Sequence, residues 1–404
     1  MNKILLVHNF YKSSNIGGED NIVNAQKEFL EKQGFQIIPY FAYNDEIKGK
    51  KGNLKAFLNS YFNYKAYNDI YKILKESNIR TILIHNTFPL ISPSVILAAK
   101  KANAEVYMYL HNFRWLCCSD NFFINGKICH KCKGIDSFYH SLNEKCYKNA
   151  PLSLWKESVR FFGQDLVKKN VDVFICPSNT VKEIFVNYGF DSSKLKVLPH
   201  FVESINTTFS PKMNISDNPC FIIVGRLDHY KGIQTVLKAF KANNYNLKII
   251  GDGPLRLEVE KACEENDNIK YLGVVSPEET IKHISDADFL IQASECYETF
   301  GLTIAEAYSV GAPVIGSDLG TRKEFVIEGE TGFLFNPNDP EDLSKAIEKA
   351  LNCNYLKLSE NCIKLYKMHY TKKAWYKKFS ERILFSLLGL NCFALFYLTT
   401  FFVF

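Results

Sequence analysis

Short apolar runs rich in β-branched residues recur along this chain, each followed by a turn and a longer stretch of helical period. In the first half these runs are Lys3–His8, Thr81–His85, Glu105–Leu110, Val171–Cys176 and Lys196–Pro199. The second half restarts the pattern with Cys220–Val224, Leu247–Ile250, Lys270–Leu272, Phe289–Ala293 and Val314–Ile315. Strands alternating with helices predict βαβ units and parallel sheets. A helix is expected after Gly18, with Ile22, Val23, Phe29 and Leu30 on its core face and Gly34 as its C-cap. Between the two series lies Glu203–Pro219, whose Ser, Thr, Asn and Pro content fits a hinge. The pattern therefore predicts an α/β chain of two doubly wound domains in tandem with a cleft between them. In such sheets ligands bind beyond the carboxyl ends of the strands, so the residues that follow each strand carry the chemistry.

Composition supports this picture. The 404 residues suit two domains of about 200 each, each able to bury a full core. Hydrophobic and charged fractions of 47% and 23% are ordinary for a globular chain. The net charge of +6 is mostly lysine, and no motif supports nucleic-acid binding. The densest basic run, Lys48-Gly49-Lys50-Lys51, reads as a solvated loop, with weak attraction to anionic lipid as the alternative. The first apolar run, Ile4–Val7, is too short for a secretory signal, so the chain is expected in the cytoplasm with most of its 12 cysteines reduced. Residues 383–404 carry no charge and follow Lys372, Lys373, Lys377, Lys378 and Arg382. That length and flank predict a membrane anchor at the inner face of the cytoplasmic membrane. A buried terminal helix or an aberrant end to the reading frame are the alternatives.

The chemistry concentrates at the predicted strand ends. Between Tyr297 and Gly320, Glu298 and Glu306 bracket Phe300-Gly301-Leu302 and the start of an apolar helix. Carboxylates there can grip hydroxyls, and free backbone N–H groups suit an anion. Gly225-Arg226 and Lys231-Gly232 follow the strand ending at Val224; an arginine and a lysine five apart on such a loop can face one phosphate. Gly251-Asp252-Gly253 closes the next strand, and Gly17-Gly18 precedes the first helix. His85 and His111 each follow a strand in the first half.

Together these pieces resemble glycosyltransferase family 4, a retaining class with the two-domain GT-B fold of Rossmann-like halves. The resemblance covers residues 1 to about 365. It is carried by Gly17-Gly18, Gly225-Arg226, Lys231-Gly232, Glu298 with Glu306, Gly311-Ala312-Pro313-Val314 and Gly332-Phe333-Leu334. It implies an acceptor-side domain at 1–205 and a nucleotide-sugar donor domain at 206–365; beyond it, the charge pattern predicts a basic C-terminal helix at 366–382 ahead of the apolar tail at 383–404. Arg226 and Lys231 would hold the donor diphosphate, electrostatic stabilisation aimed at a leaving group. Glu306 would bind the ribose. Glu298 and the Gly301-Leu302 backbone would contact donor sugar and phosphate beside Phe300, with Gly225 and Gly251 in the donor site. Gly17 and Gly18 would close over the diphosphate, and His111 would touch the transferred sugar. No cofactor is implied for the chemistry. The two glutamates are not expected to act as a glycosidase pair, which must flank the scissile bond. Thr321 departs from the family pattern, where a second glycine often follows Gly320.

Five cysteines cluster in a segment at 111–150: Cys117, Cys118, Cys129, Cys132 and Cys146. A Cys-x2-Cys pair at this density predicts a structural zinc or another thiolate-bound metal on Cys117, Cys129, Cys132 and Cys146, with Cys118 or His130 as substitutes. A disulfide pair or unconnected thiols are the alternatives. The reading that results is a retaining transfer of a sugar from a nucleotide-sugar donor to a glycan or lipid-linked acceptor in bacterial surface polysaccharide assembly. A nucleotide-sugar epimerase on the same fold and a non-catalytic nucleotide-sugar-binding protein are its rivals.

Overall fold

The computed structural model describes residues 3–13, 17–203, 210–243 and 245–384. The first half contains β1 (Lys3–Phe10), β2 (Gln36–Tyr43), β3 (Thr81–Ile84), β4 (Glu105–Tyr109), a hairpin of β5 (Phe123–Ile124) and β6 (Lys127–Ile128), β7 (Val173–Cys176) and β8 (Leu195–Val197). Apart from the hairpin, these strands form one parallel sheet in the order β2-β1-β3-β4-β7-β8. The second half repeats the plan with β9 (Cys220–Val224), β10 (Asn246–Ile250), β11 (Ile269–Gly273), β12 (Phe289–Gln292), β13 (Val314–Ser317) and β14 (Gly332–Phe335). Its order is β11-β10-β9-β12-β13-β14, again parallel.

Each sheet is buried on both faces, which is why its central strands read as unbroken apolar runs. In the first half, Leu5, Val7, Ile82 and Ile84 join one core layer while Ile4, Leu6 and Leu83 join the layer on the opposite face. In the second, Phe221 and Ile223 face one layer and Ile222 and Leu290 the other. The strand order reverses between β1 and β3, and again between β9 and β12. Both reversals open a crevice at the carboxyl ends of their strands.

The helix Gly18–Lys32 buries Ile22, Val23, Phe29 and Leu30 and ends at Gln33, with Gly34 following at a φ of 86°. Residues 210–219 of the connector contain no helix or strand, and 204–209 lie outside the described residues. The expectation of a solvated loop around Lys48–Lys51 is corrected: Gly49–Tyr61 is a helix.

After the second sheet the chain turns back. The helix Tyr355–His369 packs in the second half, but Trp375 and Phe379 of the helix Lys372–Phe379 enter the core of the first, against Phe29 and Phe201. Ile383, the first residue of the expected apolar tail, is also buried there. The remainder of that tail, 385–404, lies outside the described residues. Among the described residues no helix is long and apolar enough to cross a membrane.

Candidate active site at the facing strand ends

A cleft of about 870 Å³ lies between the two sheets, lined by residues that follow β1, β4, β9 and β12. Its wall on the second half begins where β9 ends. Gly225 and Arg226 turn out of the strand, and Arg226 Nε lies 3.2 Å from Asp228 Oδ2. Lys231 follows in a short 3-10 turn capped by the Asp228 side chain. Its Nζ is 2.6 Å from Glu298 Oε1, which comes from the loop after β12.

Burial works against both charges of this pair, but their attraction outweighs it. The Glu298 carboxyl is pulled down to about 2 by Lys231 and Arg322 despite its desolvation. The Lys231 ammonium is likewise raised, with Glu298 overcoming burial. Ser294 donates a further hydrogen bond to Glu298. The site therefore presents a fixed ion pair beside the exposed guanidinium of Arg226.

Phe300, Gly301 and Leu302 continue this wall, with the helix Leu302–Ser309 starting at the cleft. Across from it, Gly18 starts the helix Gly18–Lys32, so two helix N-termini converge on one space. Their approach is close: a Cβ on Gly18 would lie 2.7 Å from Leu302 Cδ1. Unpaired N–H groups from both ends suit a polyanion.

Three expected positions lie outside the cleft lining. Gly17 is the N-cap residue just behind Gly18. Gly251 follows β10 at φ 134°, where a Cβ would fall 1.8 Å from the Gly225 carbonyl oxygen, so it shapes the turn beside Gly225. Glu306 sits one turn into the helix Leu302–Ser309, where burial without a partner charge raises its carboxyl to about 7.

His111 enters the cleft from the end of β4, and its carbonyl accepts a hydrogen bond from Thr299 Oγ1 at 2.8 Å across the two halves. Its ring belongs to a stack with His85, Tyr109 and His200, centroids 5.0–5.2 Å from His111. Burial holds all three histidines in the neutral form, His200 down to about 3. His85 Nδ1 and His111 Nε2 share a hydrogen bond of 2.7 Å. His85 Nε2 is buried with no partner, and an unpaired N–H is the costlier orphan. This favours His85 as the donor, which leaves the proton of His111 on Nδ1.

Sequence reasoning missed several residues. Tyr11, Glu19 and Asp120 line the acceptor-side wall, and Tyr11 donates to Glu19 Oε2 at 3.2 Å. Arg322 is fully buried and donates to the carbonyls of Ser294 and Cys296, each at 2.8 Å, which fixes the loop carrying Glu298. Thr321, the departure from the family pattern, places its hydroxyl 3.1 Å from the carbonyls of Glu298 and Phe300. A glycine there would leave that turn without its hydroxyl tie. Only the strand-to-helix position of Thr321 and Arg322 marks them in the sequence.

The four cysteines of the expected zinc site, Cys117, Cys129, Cys132 and Cys146, are all free thiols. Side-chain hydrogen bonds link the thiols of Cys117 and Cys132 and those of Cys118 and Cys146, and Cys129 lies near enough to interact electrostatically with Cys117 and Cys146. Among the described residues no group of three or more His, Cys, Asp or Glu is arranged to hold a metal ion. The segment still bears on the cleft, because Ser119, Asp120, Cys146 and Tyr147 form part of its wall.

Comparison with known proteins agrees with this architecture. The family described as Glycosyltransferase Family 4 matches residues 30–204, and the family described as Glycosyl transferases group 1 matches 206–367. The chain is 28% identical over 254 residues to the capsular polysaccharide biosynthesis glycosyltransferase CapM of Staphylococcus aureus, covering 59% of this chain and 64% of that one. It is 28% identical over 163 residues to the D-rhamnosyltransferase WbpZ of Pseudomonas aeruginosa, covering 39% and 40%. The chain spans about half the length of the curated relatives it matches. In fold it is similar to sucrose-phosphate synthase from Thermosynechococcus elongatus, with a TM-score of 0.69 at 19% identity over 96% of this chain and 100% of that one. Anabaena HepE, solved in complex with UDP-glucose, gives 0.64 at 16% identity over the same shares. With two parallel α/β halves facing across a cleft and both family matches laid end to end along it, the chain belongs to glycosyltransferase family 4 and has the GT-B fold.

Proposed function

We propose that the chain is a retaining glycosyltransferase that takes its sugar from a nucleotide-sugar donor. The observation that carries this reading is the set of Arg226, Lys231 and Glu298 at one wall of the cleft, opposite the helix start at Gly18. The donor diphosphate lies between the two helix N-termini, with Arg226 and Lys231 beside it. As the bond from the sugar C1 to the diphosphate breaks, the acceptor hydroxyl forms a new bond to C1 on the same face. Its proton passes to the departing phosphate oxygen. The two cations stabilise the charge that grows on that phosphate, which is where fixed charges accelerate a reaction most. His111 offers Nδ1–H to a hydroxyl of the transferred sugar, and Glu306 takes the ribose once the donor is seated.

The acceptor is a glycan or lipid-linked glycan of a surface polysaccharide, a reading supported by the likeness to CapM and WbpZ. A thermal-shift panel of nucleotide sugars, repeated with Arg226→Ala and Glu306→Ala, tests the donor site. A stabilising nucleotide sugar whose effect is lost in both variants is expected. No response from the wild type, or equal responses from all three, would remove the assignment. Release of free nucleotide on turnover separates transfer from epimerisation, and the anomeric configuration of the product tests retention.

A further inference from the structure

The helix Gly49–Tyr61 is almost unpacked. Of its thirteen residues only Ala56 and Ser60 are buried. Leu54, Phe57, Leu58 and Tyr61 follow the spacing i, i+3, i+4, i+7, the apolar stripe that ordinarily faces a core. Here it faces outward: these side chains are 60%, 41%, 58% and 37% exposed. Lys50, Lys51 and Lys55 are exposed beside it, and the helix contains no acidic residue. Asp45, in the turn before it, is engaged with Ser13.

The stripe does not stop at the helix end. Tyr61 Oη lies 2.5 Å from Ser158 Oγ on the helix Ala150–Asn170, and the Phe57 ring is 6.0 Å from that of Trp155. Leu154 and Phe162 of the same helix are 40% and 69% exposed. A contiguous apolar surface of this kind marks an interaction site. Its chemistry selects the partner, because a basic helix with an exposed apolar stripe and no acidic residue complements an anionic bilayer surface.

From this we infer that Leu54, Phe57, Leu58 and Tyr61, with Lys50, Lys51 and Lys55, seat the first half of the chain on an anionic lipid surface. The helix Ala150–Asn170 connects that surface to the cleft, for its Lys156 pairs with Asp120 of the cleft wall at 2.6 Å. If the proposed transfer holds, a lipid-linked acceptor meets the cleft from the side on which the chain docks.

The test is co-sedimentation of the full chain with vesicles of phosphatidylglycerol and of phosphatidylcholine, at low and high salt. Two variants are compared, Leu54→Ser/Leu58→Ser and Lys50→Glu/Lys51→Glu/Lys55→Glu. The wild type is expected to prefer phosphatidylglycerol, with salt weakening the binding. Each variant should bind those vesicles about tenfold less or weaker still. Unchanged melting temperatures would show that both variants are folded. Three results overturn the proposal: no preference of the wild type for the anionic vesicle, variants that sediment like the wild type because another segment (383–404 included) does the anchoring, or wild-type self-association that both variants abolish. Vesicle binding without any response to nucleotide sugars would remove the catalytic reading and leave the docking surface standing.

Discussion

A carboxylate taken out of water needs compensation, and Glu298 has three partners in Lys231, Arg322 and Ser294. Lys231 answers in the same way to Glu298, so the cation facing the cleft stays charged across the working pH range. Replacing Lys231 with Met should lower kcat by about 10²–10³, the usual cost of losing one group that stabilises a leaving charge, with a smaller change in donor KM. A raised donor KM with kcat unchanged would show that Lys231 serves binding alone. Glu306 is the opposite case, since burial raises its carboxyl to about 7 with no charge to offset it. The folded chain then keeps a proton that the unfolded chain has released between about pH 4.5 and pH 7, so stability falls as pH rises through that window. Glu306→Gln should accordingly raise the Tm at about pH 8 and leave it unchanged at about pH 4. A Tm difference that ignores pH would sink this account. The His85–His111 bond makes a third case. Asparagine at position 85 can still offer an N–H near the place of Nδ1, whereas leucine cannot. His85→Asn should keep most of kcat and His85→Leu should lose it, while equal loss in both would mean that His85 only fills space.

At the scale of elements, the two helix starts at Gly18 and Leu302 approach each other closely across the cleft. Gly18→Val should hold them apart and reduce kcat/KM, and adding Leu302→Ala should restore part of the loss. Two independent, additive losses in a double-mutant cycle would mean that the helix ends do not meet. The elements that build this site were legible because they obey simple rules. Cys220–Val224 and Phe289–Gln292 are central parallel strands buried on both faces, and nothing but an unbroken apolar run satisfies that position. Gln36–Tyr43 was missed because it is an edge strand. It tolerates Pro39 and leaves several residues half-exposed, so its pattern is diluted. The basic run Lys48–Lys51 reads as a loop for a related reason: the helix Gly49–Tyr61 that it opens buries two small residues, which do not make a recognisable core face. At the site, Arg226, Lys231 and Glu298 announce themselves by charge at strand ends. Arg322 and Thr321 act by holding backbone carbonyls in a fold that only the assembled structure reveals.

The chain closes on itself at the scale of the whole molecule. Trp375 is fully buried in the core of the first half, although it follows the entire second half in sequence. Trp375→Ala should cost about 3–5 kcal/mol in denaturant unfolding, as deletion of a large buried aromatic does. A loss below 1 kcal/mol would mean that the returning helix adds little to the first half. Its return also means that the halves are joined twice. The outgoing segment at Val202 and the returning one at Tyr370 are bonded to each other, N to O at 3.0 Å, and Tyr366 Oη donates to the Val202 carbonyl at 2.9 Å. Two bodies pinned side by side in this way keep one easy freedom, rotation about the pins. Like a door on two hinges, the molecule can swing but not slide. The bonds from Thr180 to Glu324, from Ser178 to Thr299 and from Thr299 to His111 then act as the latch, because a swing that widens the cleft must stretch them.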